Sequence, residues 1–240
     1  MDNAGYAALS RQSGLMREMQ VVANNMANMA STGYRREGVV FAEVVRALDN
    51  GRPSLSMGAA RASFASETQG ALTRTGRPFD LAIEGEGYFL VGTPDGQMLT
   101  RAGSFLRDAE GGVVTPDGMQ LLDAGGAPVA IPLEAASISV ASDGTLSADG
   151  LPIAQIGLWQ APGIGTTERR AGTRFAVDGA PLPAGEGGGR IVGGFLEASN
   201  VNPVAEVARM IEVQRTYELG QGFLDREDER IRAVIRTFAR

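Results

Sequence analysis

The chain has 240 residues, 43% hydrophobic and 21% charged, with 22 basic against 28 acidic side chains and a formal charge of −6. That is enough apolar material for one large or two small domains, and it excludes wholesale disorder. With no Cys, no His and no Lys in the chain, a thiolate nucleophile, an imidazole base, a Schiff-base or P-loop lysine and a Cys/His zinc site are all excluded.

All 22 cations are therefore arginines, scattered with at most two adjacent (Arg35-Arg36, Arg169-Arg170). Together with the net negative charge and 6% aromatic content, this argues against a nucleic-acid partner. The opening residues Met1 to Tyr6 lack the basic start and apolar run of a secretory signal, and no later stretch approaches the roughly 20 apolar residues of a membrane span. The expectation is a soluble protein with no direct membrane insertion, which leaves the cytoplasm, if it does, without a cleaved signal peptide.

From Ala4 to Ala30 the pattern is helical. Leu9, Gln12, Met16, Met19, Ala23, Met26 and Ala30 repeat at 3-4 spacing as a narrow seam, with Arg11, Arg17, Glu18 and Asn25 opposite. Gly33, after Ser31-Thr32, supplies a helix stop, and nothing nearby in sequence offers the seam a partner. Asn24, Asn25 and Asn28 crowd the end of this segment although Asn is a weak helix former. They read either as a frayed end or as a close-packed surface whose amides face water in the monomer and gain partners on assembly.

From about Val39 to Phe195, short apolar runs alternate with turn dipeptides. Asp-Gly at 95-96, 117-118, 143-144, 149-150 and 178-179 favours hairpins, because both central positions can take positive φ. A mainly antiparallel β region is expected, with Ala184 to Gly194 as a long flexible loop. Gly85-Glu86-Gly87 and Gly163-Ile164-Gly165 lack the third glycine and following helix of a dinucleotide site. Glu84 and Glu86 share a strand face and invite an acid/base or cation role, although solvated strand-edge residues look the same. Serines and tyrosines have no His or Lys to activate them, so no catalytic, cofactor-binding or metal residue is assigned.

After Ser199-Asn200-Val201-Asn202 the helical period returns. Asn202 is placed to cap a helix whose first residue is Pro203. Met210, Val213, Tyr217, Gly220, Leu224, Glu227, Ile231, Val234 and Phe238 form a second seam, in which Gly220 and Glu227 mark a bend or the close approach of a neighbour. Asp225 to Arg230 is either a cation or partner patch or the wet face of the helix. The predicted fold class is α+β, with paired N- and C-terminal coiled-coil helices and a central, mainly antiparallel β-rich domain. Two paired helices hide only one stripe each, so the remaining apolar surface points to further copies of the same or similar chains.

Four blocks resemble a known family: ANNMANMASTGYRRE (Ala23 to Glu37), DLAIEGEGYFLV (Asp80 to Val91), LTRAGSF (Leu99 to Phe105) and GGFLEASNVNPVAEVARMIEVQRTYE (Gly193 to Glu218). They are similar to the axial proteins of the bacterial flagellum, above all the basal-body rod proteins. The opening YAALSRQSGLMRE (Tyr6 to Glu18) favours the proximal rod over the distal rod or hook. Met29-Ala30 departs from the polar or Val-Asn pair of many relatives. The resemblance implies an N-terminal axial helix (1-35), an extended or β connecting segment (36-75), a β-rich outer domain (76-195) and a C-terminal axial helix (196-240).

It further implies a non-enzymatic subunit without cofactor that polymerises helically into the torque-transmitting, periplasm-spanning shaft. Its partners would be other copies of itself, sister rod proteins and, during secretion, the flagellar type III export apparatus. The residues expected at the assembly interface are Leu9, Met16, Met19, Ala23, Asn24, Asn25, Asn28, Tyr34, Asn200, Asn202, Met210, Val213, Gln214, Tyr217, Leu224 and Ile231. A secreted β-rich binding module is the main alternative, but one Trp (Trp159) and four Tyr are few for a carbohydrate-directed surface. A hydrolase using Glu84 and Glu86 is a further alternative.

Overall fold

Ala, Leu, Met and Gln, favoured by helix propensity, make up nearly half of the first helix, α1, which runs Asn3–Ala27. The second, α2, runs Pro203–Phe238 and starts as its sequence predicts. Asn202 Oδ1 accepts hydrogen bonds from the backbone N–H groups of Val204 and Ala205, both at 3.1 Å, and proline fills the first helical position without forfeiting a donor. The computed structural model describes residues 3–46, 55–161, 167–177, 179–185 and 188–238. Between the helices the described strands pair antiparallel throughout, so the fold class is α+β.

The chain divides into two units. The first comprises residues 1–27, 36–66 and 201–240 and the second 28–35 and 67–200. In the first unit, strands β1 (Glu37–Arg46) and β2 (Leu55–Ala65) form a two-stranded antiparallel sheet with a register shift at Val40/Phe41. This hairpin packs on α1, and so does α2. The expectation that α1 has no neighbour close in sequence is thereby corrected. At Gly14 the helix passes so close to the Phe41 ring that a Cβ would lie 2.8 Å from it.

The expected α1 seam is corrected too. The buried positions are Gln12, Gly14, Leu15, Glu18, Val22 and Asn25, whereas Leu9, Met16, Ala23 and Ala30 are exposed. Apolar repeats are the usual mark of an inward face, but this one holds three polar side chains, each with at least one bond to α2. On α2 the pattern locates the inward face: Val213 is buried and Met210, Tyr217, Gly220, Leu224 and Glu227 are half-buried, whereas residues 228–237 are exposed. Gly220 marks a close approach, since a Cβ there would stand 2.5 Å from Gln12 Nε2.

The helix ends at Ala27, earlier than its pattern suggests, and Asn28 to Gly33 form turns. Gly33, at φ 67°, lies against the Arg101 backbone, where a Cβ would sit 2.3 Å from the carbonyl carbon. Its role is close backbone approach in a left-handed conformation that L side chains resist.

The second unit is built on a seven-stranded sheet. Its order is Thr167–Ala171, Arg174–Val177, Gly96–Thr100, Phe89–Thr93, Gln120–Leu121, Val113–Val114, Leu106–Arg107. A three-stranded sheet (Ile138–Val140, Thr145–Ala148, Leu151–Gln155) and two-stranded pairs complete it. Leu81, Ile83, Phe89, Val91, Phe105, Leu121, Ile156 and Ile191 converge in the core, with Phe89 and Phe105 edge to face at 5.5 Å. Of the Asp-Gly turns, 149-150 places both residues at positive φ (50° and 82°), in a two-residue connection between Ala148 and Leu151. At 95-96, 117-118 and 143-144 only the glycine does so. Asp178 lies outside the described residues, as does Gly163-Ile164-Gly165.

The expected loop from Ala184 to Gly194 is corrected in its second half. Arg190–Gly193 is a strand paired with Leu81–Glu84. Gly189 fits there because a Cβ would press on the Glu84 and Glu86 carbonyls.

Candidate assembly interface

Two buried polar knots organise the units, one in each. In the first, Glu206 sits on the opening turn of α2 with 1% of its area exposed. Its carboxylate accepts from Arg36 Nε and from Asn25 Nδ2 at 3.2 Å. Asn25 also donates to the Glu37 carbonyl at 2.9 Å and accepts from the Glu37 N–H at 2.8 Å. One amide thus joins the end of α1, the start of β1 and the start of α2.

Further along, Arg209 Nε donates to Glu18 Oε1 at 2.7 Å, and Gln12 Nε2 donates to the Tyr217 carbonyl at 3.0 Å. As numbers rise along α1 they fall along α2, so the helices pair antiparallel. Although burial favours the neutral form of Arg209, its bonds to Glu18 and Glu212 outweigh that and raise its pKa.

In the second unit Glu197, on the strand Phe195–Glu197 and 1% exposed, bridges two arginines. Arg35 Nη2 and Arg101 Nε each lie 2.9 Å from its carboxylate, and the Gly70 N–H donates to it at 3.1 Å. Arg101 also donates to the Gly87 and Gly85 carbonyls at 2.6 and 2.9 Å. Burial lowers the pKa of Arg101, and Glu197 works against that shift. Beside this knot the Arg169 guanidinium lies between the rings of Tyr34 (4.3 Å) and Phe175 (4.6 Å), a cation held over two electron-rich faces. The adjacent pair Arg35-Arg36 therefore serves one buried carboxylate in each unit.

The residues expected at an assembly interface fall into three groups. Leu9, Met16, Ala23, Asn202, Gln214 and Ile231 are exposed; Met19, Asn24, Asn28, Asn200, Met210, Tyr217 and Leu224 are half-buried; Asn25, Tyr34 and Val213 are buried. For Asn25 the expectation of a water-facing amide in the monomer is corrected, since it has no exposed area and is bonded within its own chain. Leu9, Met16 and Ala23 follow one another at seven-residue spacing down an outer stripe of α1, with Ser13 and Gln20 between them and no charge on the stripe.

Sequence reasoning did not single out Arg101, Glu197 or Glu206. Glu206 carried a faint signal, an acid in the first turn of a capped helix. Glu197 carried none, because no one-dimensional pattern selects which of 22 arginines will meet it.

The carboxylate candidates resolve as surface chemistry. Glu84 is exposed and pairs with Arg190 at 2.6 Å, and Glu86 is exposed in the following bend. In the acidic run on α2, Arg230 pairs with Glu227 and Arg232 with Asp228, as on a solvated helix face. Among the described residues no three His, Cys, Asp or Glu side chains are grouped to hold a metal ion, and no helix is long and apolar enough to cross a membrane.

Terminal helices paired through one buried polar knot and further polar contacts, with exposed apolar side chains outward and a β-rich unit between them in sequence, define a structural class of protein. Comparison with known proteins specifies which. Residues 82–148 match the model of the flagellar hook protein FlgE/F/G D1 domain, and residues 192–237 that of the flagellar basal body rod FlgEFG protein C-terminal region. The chain is 36% identical to the flagellar basal-body rod protein FlgF of Caulobacter vibrioides, over 98% of this chain and 97% of that protein. It is 34% identical to FlgF of Mesorhizobium japonicum (91% and 90% covered) and 31% identical to the rod protein FlgG of Bacillus subtilis (96% and 97%). The chain belongs to the flagellar basal-body rod protein family and is most like its FlgF members. It is a structural subunit of the rod and serves flagellar motility.

Proposed function

We propose that the chain occupies the proximal part of the rod, where it polymerises helically into the periplasm-spanning shaft that transmits motor torque. In this reading the segments 1-35 and 196-240 are axial, their helices pairing as a coiled coil, with 36-75 as connector and 76-195 outside. It assembles with copies of itself and with sister rod proteins, reaches its place through the flagellar type III export apparatus, and performs no catalysis.

The observation that carries the reading is the outer face of the helix pair. Leu9 and Met16 on α1 are exposed, as are Val204, Val207, Ile211, Leu219 and Phe223 on α2. Apolar surface of this extent on paired helices marks an interaction site. The test is to isolate hook-basal bodies from cells carrying an epitope-tagged full chain and locate the tag by immunoelectron microscopy. Label confined to the rod near the membrane-proximal end is expected. Label on the hook or on the distal rod would overturn the proximal assignment, and absence of label from the organelle would overturn the assembly reading itself.

A further inference from the structure

With no cysteine in 240 residues, methionine is the protein's only oxidisable sulfur, and the described methionines differ widely in access. Met16 and Met29 are 48% and 50% exposed, Met19, Met26, Met119 and Met210 are half-buried, and Met98 is 8% exposed in the β core. Met16 is set apart by its position: it is the middle residue of the uncharged outer stripe of α1, seven residues from Leu9 and seven from Ala23. We propose that Met16 is an oxidative modification site, and that its conversion to the sulfoxide blocks association through that stripe. The second half rests on the assembly reading above; the first does not.

The co-reactant is a peroxide. A sulfur lone pair attacks one oxygen of hydrogen peroxide, the O–O bond breaks as the S–O bond forms, and the proton of the attacked oxygen passes to the second oxygen, which leaves as water. Sulfur loses two electrons, peroxide gains them, and the thioether becomes a polar sulfoxide. Facing water, as in the free chain, the new S=O group is solvated and the helix tolerates it. Against an apolar partner surface it is an acceptor stripped of water with no donor, an arrangement that disfavours burial. The reaction is reversible through sulfoxide reductases, so the modification distinguishes a delayed subunit from a destroyed one.

Two measurements test the proposal. The purified full-length chain is exposed to graded hydrogen peroxide and its peptides are weighed by mass spectrometry. Met16 and Met29 should oxidise about tenfold faster than Met98, as susceptibility follows access, and a Met16 no faster than Met98 overturns the site. In cells, Met16→Gln places a polar side chain of similar length at the position, and Met16→Leu one that peroxide does not modify. Met16→Gln should enter basal bodies about tenfold less than Met16→Leu at equal protein level, and after a peroxide pulse Met16→Leu should keep entering while the wild type does not. Equal incorporation of the two variants, at any level, overturns the control of assembly. A wild-type chain absent from basal bodies would instead sink the assembly reading, leaving the order of oxidation as the test of the site.

Discussion

At the scale of the residue, what matters is whether a charge has an alternative to its partner. Glu197 has none: removing its carboxylate leaves Arg35 and Arg101 buried without a counter-charge, a change that costs about 3 to 5 kcal/mol. Glu197→Ala should therefore unfold the β-rich unit at markedly lower denaturant, measured by the near-ultraviolet signal of buried Trp159; a midpoint close to wild type would show that the arginines are satisfied by carbonyls alone. Glu84 stands at the other extreme, since it and Arg190 are half exposed or more and such pairs contribute about 1 kcal/mol or less. Glu84→Gln with Glu86→Gln should leave both stability and swimming unchanged, and a non-motile strain with normal protein level would restore a functional role to that pair. Asp117 lies between. The Thr115 hydroxyl at 2.6 Å, then Arg174, hold its pKa below the ordinary carboxylate value, burial opposing them. A lowered folded-state pKa stabilises the fold above the unfolded value and is lost as pH falls through the folded one, here below about pH 4. Asp117→Asn should thus narrow the difference in melting temperature between pH 7 and pH 3, by a small amount because the side chain is half exposed, and an unchanged difference would exclude the contribution.

At the scale of the element, the cap of α2 and the antiparallel β region were legible because their signals are local. Asn-Pro before a helical period and Asp-Gly between apolar runs act over two to four residues, and the structure uses them at Asn202 and at Asp149-Gly150. The face of α1 was not legible, because polar Gln12, Glu18 and Asn25 each point toward a partner roughly 180 to 205 positions away in the chain. Nor was the strand Arg190–Gly193, whose glycines read as flexibility until the carbonyls pressing on Gly189 are known. This changes what Asn25 does. In Asn25→Leu the Glu37 N–H and carbonyl and the Glu206 Oε2 acceptor each lose a partner, and a buried group left stranded costs about 1 to 3 kcal/mol. The variant should melt early in its helical signal and enter basal bodies only in proportion to its folded fraction. A variant that melts like wild type yet fails to assemble would instead make Asn25 a contact between subunits.

At the scale of the whole molecule, the two units draw on the sequence differently. The second is complete within residues 28–35 and 67–200, whereas the first takes its pieces from both ends of the chain and from 36–66. Removing residues 204–240 therefore strips Gln12, Glu18, Asn25 and Arg36 of their α2 partners at once but takes no residue from the β core. Left with the hairpin alone, α1 loses the α2 packing on which much of a helix's stability rests, so helical signal should fall by more than α2 itself contributes. The core around Phe89 and Phe105 keeps its contacts, so the near-ultraviolet signal of Trp159 and its cooperative melting should persist. The truncated chain should be soluble and absent from basal bodies, since the outer face of the helix pair is lost with the pair. Circular dichroism in both wavelength ranges, beside basal-body fractionation, separates the outcomes. Loss of the Trp159 signal would show that the β-rich unit depends on α2 for its own folding, and a truncated chain that still builds normal rods would show that the terminal helices are not what assembles.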